Sequence, residues 1–561
     1  MATRKQMWES LEGDFDLLVV GGGITGCGIA RDAAMRGLRV ALVEMRDLAY
    51  GTSSRSSKLV HGGLRYLEQY EFSLVFEAVS ERRILMDIAP HLVRPLGFLF
   101  PVFEDSRQPL WMISAGMWLY DGLSMFRSPK MHRKLSRRDV AKQEPALRQK
   151  GLKGAPLYYD CATDDARLTL ENGLDAVRAG AVVATRAKVV GLLHDAGRLC
   201  GAKVRCERTG EVREVRASAV INASGPWTDA VVDMAKDGAK DLLRPTKGVH
   251  IVVDADKLPV ANAVVCFHPT DGRVLFAIPW GDQTYIGTTD TDFSGDPGEV
   301  AATLDDVDYL INAAAHYFPD NPLSRSDVIS TWAGLRPLIR PVSADGKVHE
   351  SAVSREHQVI VGKDGLITIA GGKLTTYRRM AAEVVDTSVK LLRLSNKLPE
   401  RLAPAPTDRE PLPGAVGWPA DDAIADLVAS VIDISGDRLS DASARNLVDT
   451  YGMRATDIAR RVQEDERLAE PLVAGRPEVL AQVDWAVEHE LASGVDDVLI
   501  RRTQIYFRDA DQGLAAVDVV AQRLADVLGW SSDERAAAAQ EYRDEVALSR
   551  QWREAPRDPA S

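Results

Sequence analysis

The chain has 561 residues, 45% hydrophobic and 27% charged, with 43 Gly and 27 Pro, a composition that excludes a collagenous or wholly disordered protein and is ample for buried cores. Lys and Arg number 69 against 81 Asp and Glu, a formal charge of −12, which excludes an electrostatic nucleic-acid binder and means that a local cluster of bases must meet any anionic ligand. The five cysteines, Cys27, Cys161, Cys200, Cys206 and Cys266, form no CxxC pair, so no disulfide framework and no metal site is expected, and a reducing compartment fits best.

Residues 1–16 alternate charged and polar types, without the apolar centre of a secretory signal. An apolar run at 17–20 then enters Gly21-Gly22-Gly23-Ile24-Thr25-Gly26; a helix is predicted over 27–36, and a second apolar run at 40–43 ends in Glu44. This reads as a βαβ unit with G-x-G-x-x-G at Gly21, Gly23 and Gly26. The first glycine allows the tight turn, the second lets backbone approach a pyrophosphate, and the third permits close helix packing, while the helix N-terminus offers unpaired N–H groups to the phosphates. Glu44 stands where a carboxylate can accept from a ribose hydroxyl, so the spacing predicts a bound dinucleotide.

From 51 to about 273 strand-like and helix-like segments alternate, among them 182–190, 215–222 and 250–253. Residues 271–279 and 284–287 read as an antiparallel hairpin turned at Gly281 and Asp282. A nucleotide-binding α/β part and a β-rich part are therefore expected to be interleaved within 1–398. Six prolines between 399 and 420 predict a linker, apolar residues at helical spacing such as Ile458 and Val462, then Val483, Val487 and Leu491, predict a helical domain over 421–549, and 550–561 is expected to fray. No run of about 18 apolar residues is present that would span a bilayer.

Three stretches rich in small polar residues stand out further along the chain: Ser56-Ser57-Lys58-Leu59-Val60-His61-Gly62-Gly63-Leu64-Arg65-Tyr66, Ile221-Asn222-Ala223-Ser224-Gly225-Pro226-Trp227 and Gly371-Gly372-Lys373-Leu374-Thr375-Thr376-Tyr377. Taken alone they are turns and a loop. In this order the sequence resembles the FAD-dependent glycerol-3-phosphate dehydrogenases of the D-amino-acid-oxidase-like superfamily from about 16 to 377, with a weaker echo at 483–507 that includes Asp497-Val498-Leu499-Ile500-Arg501-Arg502-Thr503. The resemblance implies a Rossmann-type α/β FAD-binding domain, a β-rich substrate domain and a C-terminal helical domain. The cofactor contacts it implies are Gly21, Gly23, Thr25, Gly26, Glu44, Thr52, Ser53, Ser57, Lys58, Leu59, His61, Val189, Gly225, Gly372, Lys373, Leu374 and Thr375. A helix starting within 372–375 would place positive potential at the flavin N1–C2=O edge, where negative charge gathers on reduction.

The implied substrate is sn-glycerol 3-phosphate, whose near-dianionic phosphate needs convergent cations; by resemblance these are Arg65, Arg336, Arg355 and Lys373, with Tyr66 donating a hydroxyl. Arg340 is read as a surface charge. For the base that takes the hydroxyl proton we expect His250, since imidazole titrates near working pH and Arg does not; Arg336 then polarises the oxygen. Read alone, a single His before a strand is more often structural. His61 is a weaker candidate near the ring, and Thr288, Thr289 and Asp290 either shape the pocket or cap the strand.

Residues 110–120 carry two Trp and two Met at the spacing of one helix, followed by Arg127, Lys130, Arg133, Lys134, Arg137 and Arg138. An aromatic amphipathic segment beside a basic cluster lies in an anionic interface; a core helix before a solvated loop is the plainer alternative. The expectation is a peripheral enzyme on the cytoplasmic face of the membrane that passes electrons to quinone, with a homodimer implied by the family. The alternatives are an oxidase that uses oxygen and a non-catalytic flavoprotein. An amino-acid oxidase would need a carboxylate clamp in place of the phosphate cations, and a nicotinamide enzyme would need a second G-x-G-x-x-G.

Overall fold

The computed structural model describes residues 4–63, 71–123, 128–235, 242–340, 356–394, 398 and 402–554. Strand β1 (Asp14–Val20) runs into helix α1 (Ile24–Met35) and the chain returns in β2 (Val40–Val43). β1 and β2 are parallel, with Leu17 opposite Val40 and Val20 opposite Val43. The helix begins earlier than the predicted 27 because Gly23, in extended conformation, serves as its N-cap. Both strands are apolar on both faces because a parallel sheet is covered on both sides.

After helix α2 (Leu110–Leu123), the strands β3 (Val182–Ala184) and β4 (Val212–Asn222) rejoin this sheet. The stretch 182–190, expected as one strand, is broken at Arg186, whose φ of 53° ends β3 before a new strand at Ala187–Asp195. Strands β5 (Leu243–Asp254), β6 (Gln283–Gly287) and β7 (Val328–Ile339) belong to a second sheet, and β8 (Ile367–Ala370) returns to the first. Helices α3 (Tyr377–Leu394) and α4 (Ser532–Arg550) complete the elements used below.

Among the described residues the first sheet has 8 strands and contains the order β8, β4, β1, β2, β3. Neighbours in that order run parallel, so β1, β2, β4 and β8 all end at one edge. α1 and α3 cover one face, where Leu17, Val19, Ile29, Leu42 and Val384 share one core. The second sheet has 11 strands, with β5 between β6 and β7. The predicted hairpin is present as Val274–Trp280 and β6, Trp280 facing Gln283 across the turn at Gly281 and Asp282.

Beyond 420 the described elements are helical. Ile458 and Val462 are buried on Ala455–Glu464, and Val483 and Val487 on Ala481–Glu490, but Leu491 caps that helix in left-handed conformation. The tail expected to fray from 550 stays packed through Arg553: Trp552 is buried, and Arg553 Nη2 donates to the carbonyls of Val328 (2.8 Å) and Ile329 (2.9 Å). One buried indole outweighs the polar residues around it.

Candidate active site

A cleft opens where β1, β2, β4 and β8 end together, the place where open parallel sheets bind ligands. The glycines of the first turn divide as the motif requires. A Cβ on Gly21 would stand 2.6 Å from the Ala223 carbonyl oxygen, and one on Gly26 only 1.9 Å from the Gly21 oxygen, whereas a Cβ on Gly23 would meet only Ser53 Oγ at 3.2 Å. The protein's own packing therefore demands the outer two, and the middle one leaves a path to the helix N-terminus. Ser53 Oγ accepts from the Ile24 N–H at 2.9 Å, and Thr25 lines the cleft beside it.

Glu44 accepts from the N–H groups of Gly22 (2.6 Å) and Arg46 (2.9 Å), one on each carboxylate oxygen. Burial raises its pKa, and each oxygen keeps a lone pair for a hydroxyl donor. Thr52, Val189, Gly225, Gly372, Lys373 and Leu374 complete the expected lining, joined by Trp227, which ends the 221–227 stretch, and by Pro337. Gly371 and Gly372 have φ of 73° and 90°, and the turn they make delivers Lys373 to the wall as the cap of a short helical turn, Leu374–Thr376, that leads into α3. Positive helix-end potential thus faces the cleft, as the chemistry of a reduced flavin requires.

Other residues expected at the cofactor lie behind the wall. Lys58 is buried, its Nζ 2.6 Å from Asp165 Oδ1 and within 6 Å of the ring centres of Trp332 (5.6 Å) and Phe507 (5.0 Å). Asp165 also accepts from Ser56 N–H (3.0 Å) and Ser56 Oγ (2.7 Å), so it shapes the loop that Lys58 belongs to. Leu59 sits in the core. Thr375 Oγ1 accepts from His61 N–H at 3.2 Å and donates to its carbonyl at 3.3 Å, tying the two small-residue motifs together. Gly26 is packed against the first turn, and Ser57 points to the second sheet.

On the second sheet His250 is held by its cross-strand neighbours, Gly287 on one side and Trp332 on the other. The imidazole stacks on Trp332 with ring centres 4.6 Å apart, and its Nε2 lies 2.9 Å from Ser57 Oγ. A Cβ on Gly287 would strike the ring at 2.1 Å, so glycine is what leaves room for it. Burial, and then the cations Arg336 and Lys58, hold the His250 pKa well below its ordinary value. This corrects the expectation of titration near working pH: the ring is neutral there and retains one basic nitrogen.

Arg336 lies across Gly248, near the same ring. Its Nη1 is 3.0 Å from Asp290 Oδ1, and its Nη2 donates to Thr288 Oγ1 and the Thr289 carbonyl, both at 3.1 Å. The Thr288-Thr289-Asp290 segment is thus assembled with the arginine, beyond a mere strand cap. Arg273, not foreseen, donates to the Asp290 carbonyl from the other side. Thr52 Oγ1 donates to the Leu335 carbonyl at 2.6 Å and Pro337 lines the cleft, so Arg336 is flanked by residues that join the two sheets. Arg340 is exposed, as expected; Arg65, Tyr66 and Arg355 lie outside the described residues.

Residues 16–378 match the FAD dependent oxidoreductase family and 405–535 the C-terminal domain of alpha-glycerophosphate oxidase. Glycerol-3-phosphate dehydrogenase 2 of Mycobacterium tuberculosis is 40% identical over 533 residues, 95% of this chain and 88% of its own. Aerobic glycerol-3-phosphate dehydrogenase of Staphylococcus aureus is 37% identical over 551 residues, 97% and 96% of the two chains. The crystal structure of the Bacillus halodurans glycerol-3-phosphate dehydrogenase complexed with FAD superposes with a TM-score of 0.80 at 32% identity, covering 98% of each chain. The chain belongs to the FAD-dependent glycerol-3-phosphate dehydrogenases.

Proposed function

We propose that the protein oxidises sn-glycerol 3-phosphate to dihydroxyacetone phosphate and delivers the electrons to a membrane quinone. The observation that carries the first half is the joining of a glycine-lined dinucleotide cleft to a cation and a neutral histidine through one strand pair, β5 and β7. When bound, FAD supplies a two-electron hydride acceptor. Gly23, Thr25 and the α1 N-terminus hold its pyrophosphate, Glu44 its ribose, and the turn at Gly372, Lys373 and Leu374 its isoalloxazine edge. Lys373 and Arg336, with Arg65, Arg355 and Tyr66, bind the substrate phosphate and polarise the reacting oxygen. His250 Nε2 takes the hydroxyl proton, its neutral state kept by burial and by the cations Arg336 and Lys58, and its ring plane by Trp332, Gly287 and Ser57.

The face around α2 supports the second half. Met117 and Tyr120 are buried, while Trp111 and Trp118 are 67% and 60% exposed beside exposed Phe76 and Leu119. The exposed bases Lys130, Arg133, Lys134, Arg137 and Arg138 follow; Arg127 lies outside the described residues. Each base near an anionic surface adds about 1 kcal/mol of attraction. Among the described residues no helix is long and apolar enough to cross a membrane. The proposed reading has the protein lying on the cytoplasmic face through the aromatic side chains and bases around α2. A homodimer, interleaved FAD and substrate parts through 398 and a helical domain over 421–549 belong to the same reading.

An anaerobic absorption spectrum before and after addition of sn-glycerol 3-phosphate tests the chemistry. Bleaching of the flavin bands is expected, with recovery on a quinone analogue faster than on oxygen; a flavin that stays oxidised would sink the substrate assignment, and faster recovery on oxygen would make the protein an oxidase. Replacing the five bases by Gln is expected to release the protein from anionic vesicles with dye-coupled activity intact. Binding that persists would place the membrane contact elsewhere.

A further inference from the structure

The turns that frame the ribose side of the cleft are each tied to the C-terminal helices by ion pairs. Asp47, three residues beyond Glu44 and fully buried, accepts from Arg501 Nε at 2.7 Å and from Arg502 Nη2 at 3.0 Å. Arg501 Nη2 also donates to Asp496 and Asp497, at 2.6 Å each. Those two carboxylates take Arg186 Nη2 at 2.9 and 2.7 Å. Arg186 is the left-handed residue between β3 and the strand that carries Val189; its N–H donates to the Arg46 carbonyl at 2.7 Å, and the next, Ala187 N–H, to the Glu44 carbonyl at 2.7 Å.

The cations of Asp47 and the two carboxylates hydrogen-bonded to Arg186 therefore both come from one segment, 496–502, far along the chain, and Glu541 of α4 adds a longer contact to Arg186 at 3.6 Å. Buried ions cost several kcal/mol each unless paired, so neither turn can hold its charged residue in place when that segment is displaced. The rim repeats the pattern more weakly: Glu541 of α4 pairs with Arg46, and Glu545 pairs with Arg55 of the Gly51-to-Lys58 loop at 2.9 Å. A dry apolar seam would join the C-terminal helices to the sheet as firmly but would not fix the register of two particular turns.

We propose that the segment 496–502 is a clamp that holds the Glu44 and Ala187 turns in the shape that retains the FAD ribose, so that the C-terminal helices serve cofactor retention. Asp47, Arg186, Arg501 and Arg502 are positioning residues: they act through Glu44 and the Ala187 turn. The inference rests on the cleft being the FAD site.

The test follows FAD release from purified holoenzyme by the rise of free-flavin fluorescence, together with thermal unfolding and the KM for sn-glycerol 3-phosphate, both in saturating FAD. Asp47→Asn is expected to release FAD at least about tenfold faster, tenfold corresponding to roughly 1.4 kcal/mol, while the KM stays within about twofold. The double variant Glu541→Gln/Glu545→Gln, which removes the rim pairs to Arg46 and Arg55 and the longer Glu541 contact to Arg186 at 3.6 Å, is expected to release it about threefold faster and decides the matter if Asp47→Asn does not fold. Release unchanged in a folded Asp47→Asn, or in the rim variant when the other is unfolded, overturns the clamp. So does a fall in melting temperature together with a raised KM and without faster release. A wild-type protein that takes up no flavin overturns the cofactor reading and the clamp with it.

Discussion

The two ends of the site are made of different material. The cofactor cleft opens at the ends of parallel strands, and its most constrained positions are glycines whose missing carbon is occupied by other backbone, as at Gly21 and Gly26. The substrate end is side chains on antiparallel strands: an arginine braced by Asp290 and Thr288, and a histidine flattened between Gly287 and Trp332. At the cofactor end an added carbon collides with backbone that cannot yield, whereas at the substrate end function depends on keeping particular side chains in place.

The largest expected effect is Gly26→Ala. Its new Cβ would lie 1.9 Å from the Gly21 carbonyl oxygen, a backbone atom fixed by the sheet, so the first turn of α1 must move away from β1. Protein without bound flavin is expected, read from the flavin-to-protein ratio; a flavin-replete Ala variant would mean that the third glycine is not a packing requirement. Next comes Arg336→Ala, for which we expect kcat/KM to drop by about two to three orders of magnitude, the scale for losing a charged contact to a developing oxyanion. Flavin content should not change. Loss of FAD with Arg336→Ala would show that the two ends are not separable, and would erase the contrast drawn above.

The same contrast explains what could be read from the sequence. The βαβ unit was legible because its determinants are contiguous: an apolar strand, three glycines and a helix, with Glu44 one strand later. The loop at 51–63 and the turn at 371–377 were legible only by resemblance, since small polar residues are turns until something is known to lie against them. What placed Lys58 behind the wall is Asp165, and no local spacing connects the two. Trp332, Gly287 and Arg273 went unseen for the same reason: they reach His250 or Arg336 through cross-strand register or across a loop. The Asp47 pairs with Arg501 and Arg502 are beyond any local pattern, although the motif that holds both arginines stood out.

Gly287→Ala sharpens the comparison, because it adds one carbon at the substrate end. The carbon would meet His250 Cδ2 at 2.1 Å and push the ring off Trp332 and Ser57 Oγ. We expect kcat for flavin reduction to fall about 100-fold, the low end of what a positioned general base contributes, while flavin spectrum and content stay unchanged. An unaltered rate would remove His250 from the reaction and leave it a packing residue.

The smallest effect is the most diagnostic of the electrostatics. The folded protein disfavours protonation of His250, through burial first and then Arg336 and Lys58, whereas the unfolded chain has an ordinary imidazole. A group whose pKa is lowered on folding contributes stability that is present above the unfolded value of 6.5 and is lost as pH falls toward the folded one. His250→Asn, which keeps a partner for Ser57 but cannot titrate, should not share that loss. Between pH 7.5 and pH 5.5 wild type should therefore lose about 1.4 kcal/mol relative to the variant, from protonation of the unfolded imidazole alone. Denaturant unfolding of both proteins at the two pH values measures it. A difference that does not change with pH would mean that the ring titrates equally in both states, and hence that it is far more open to solvent than its place between Gly287 and Trp332 implies.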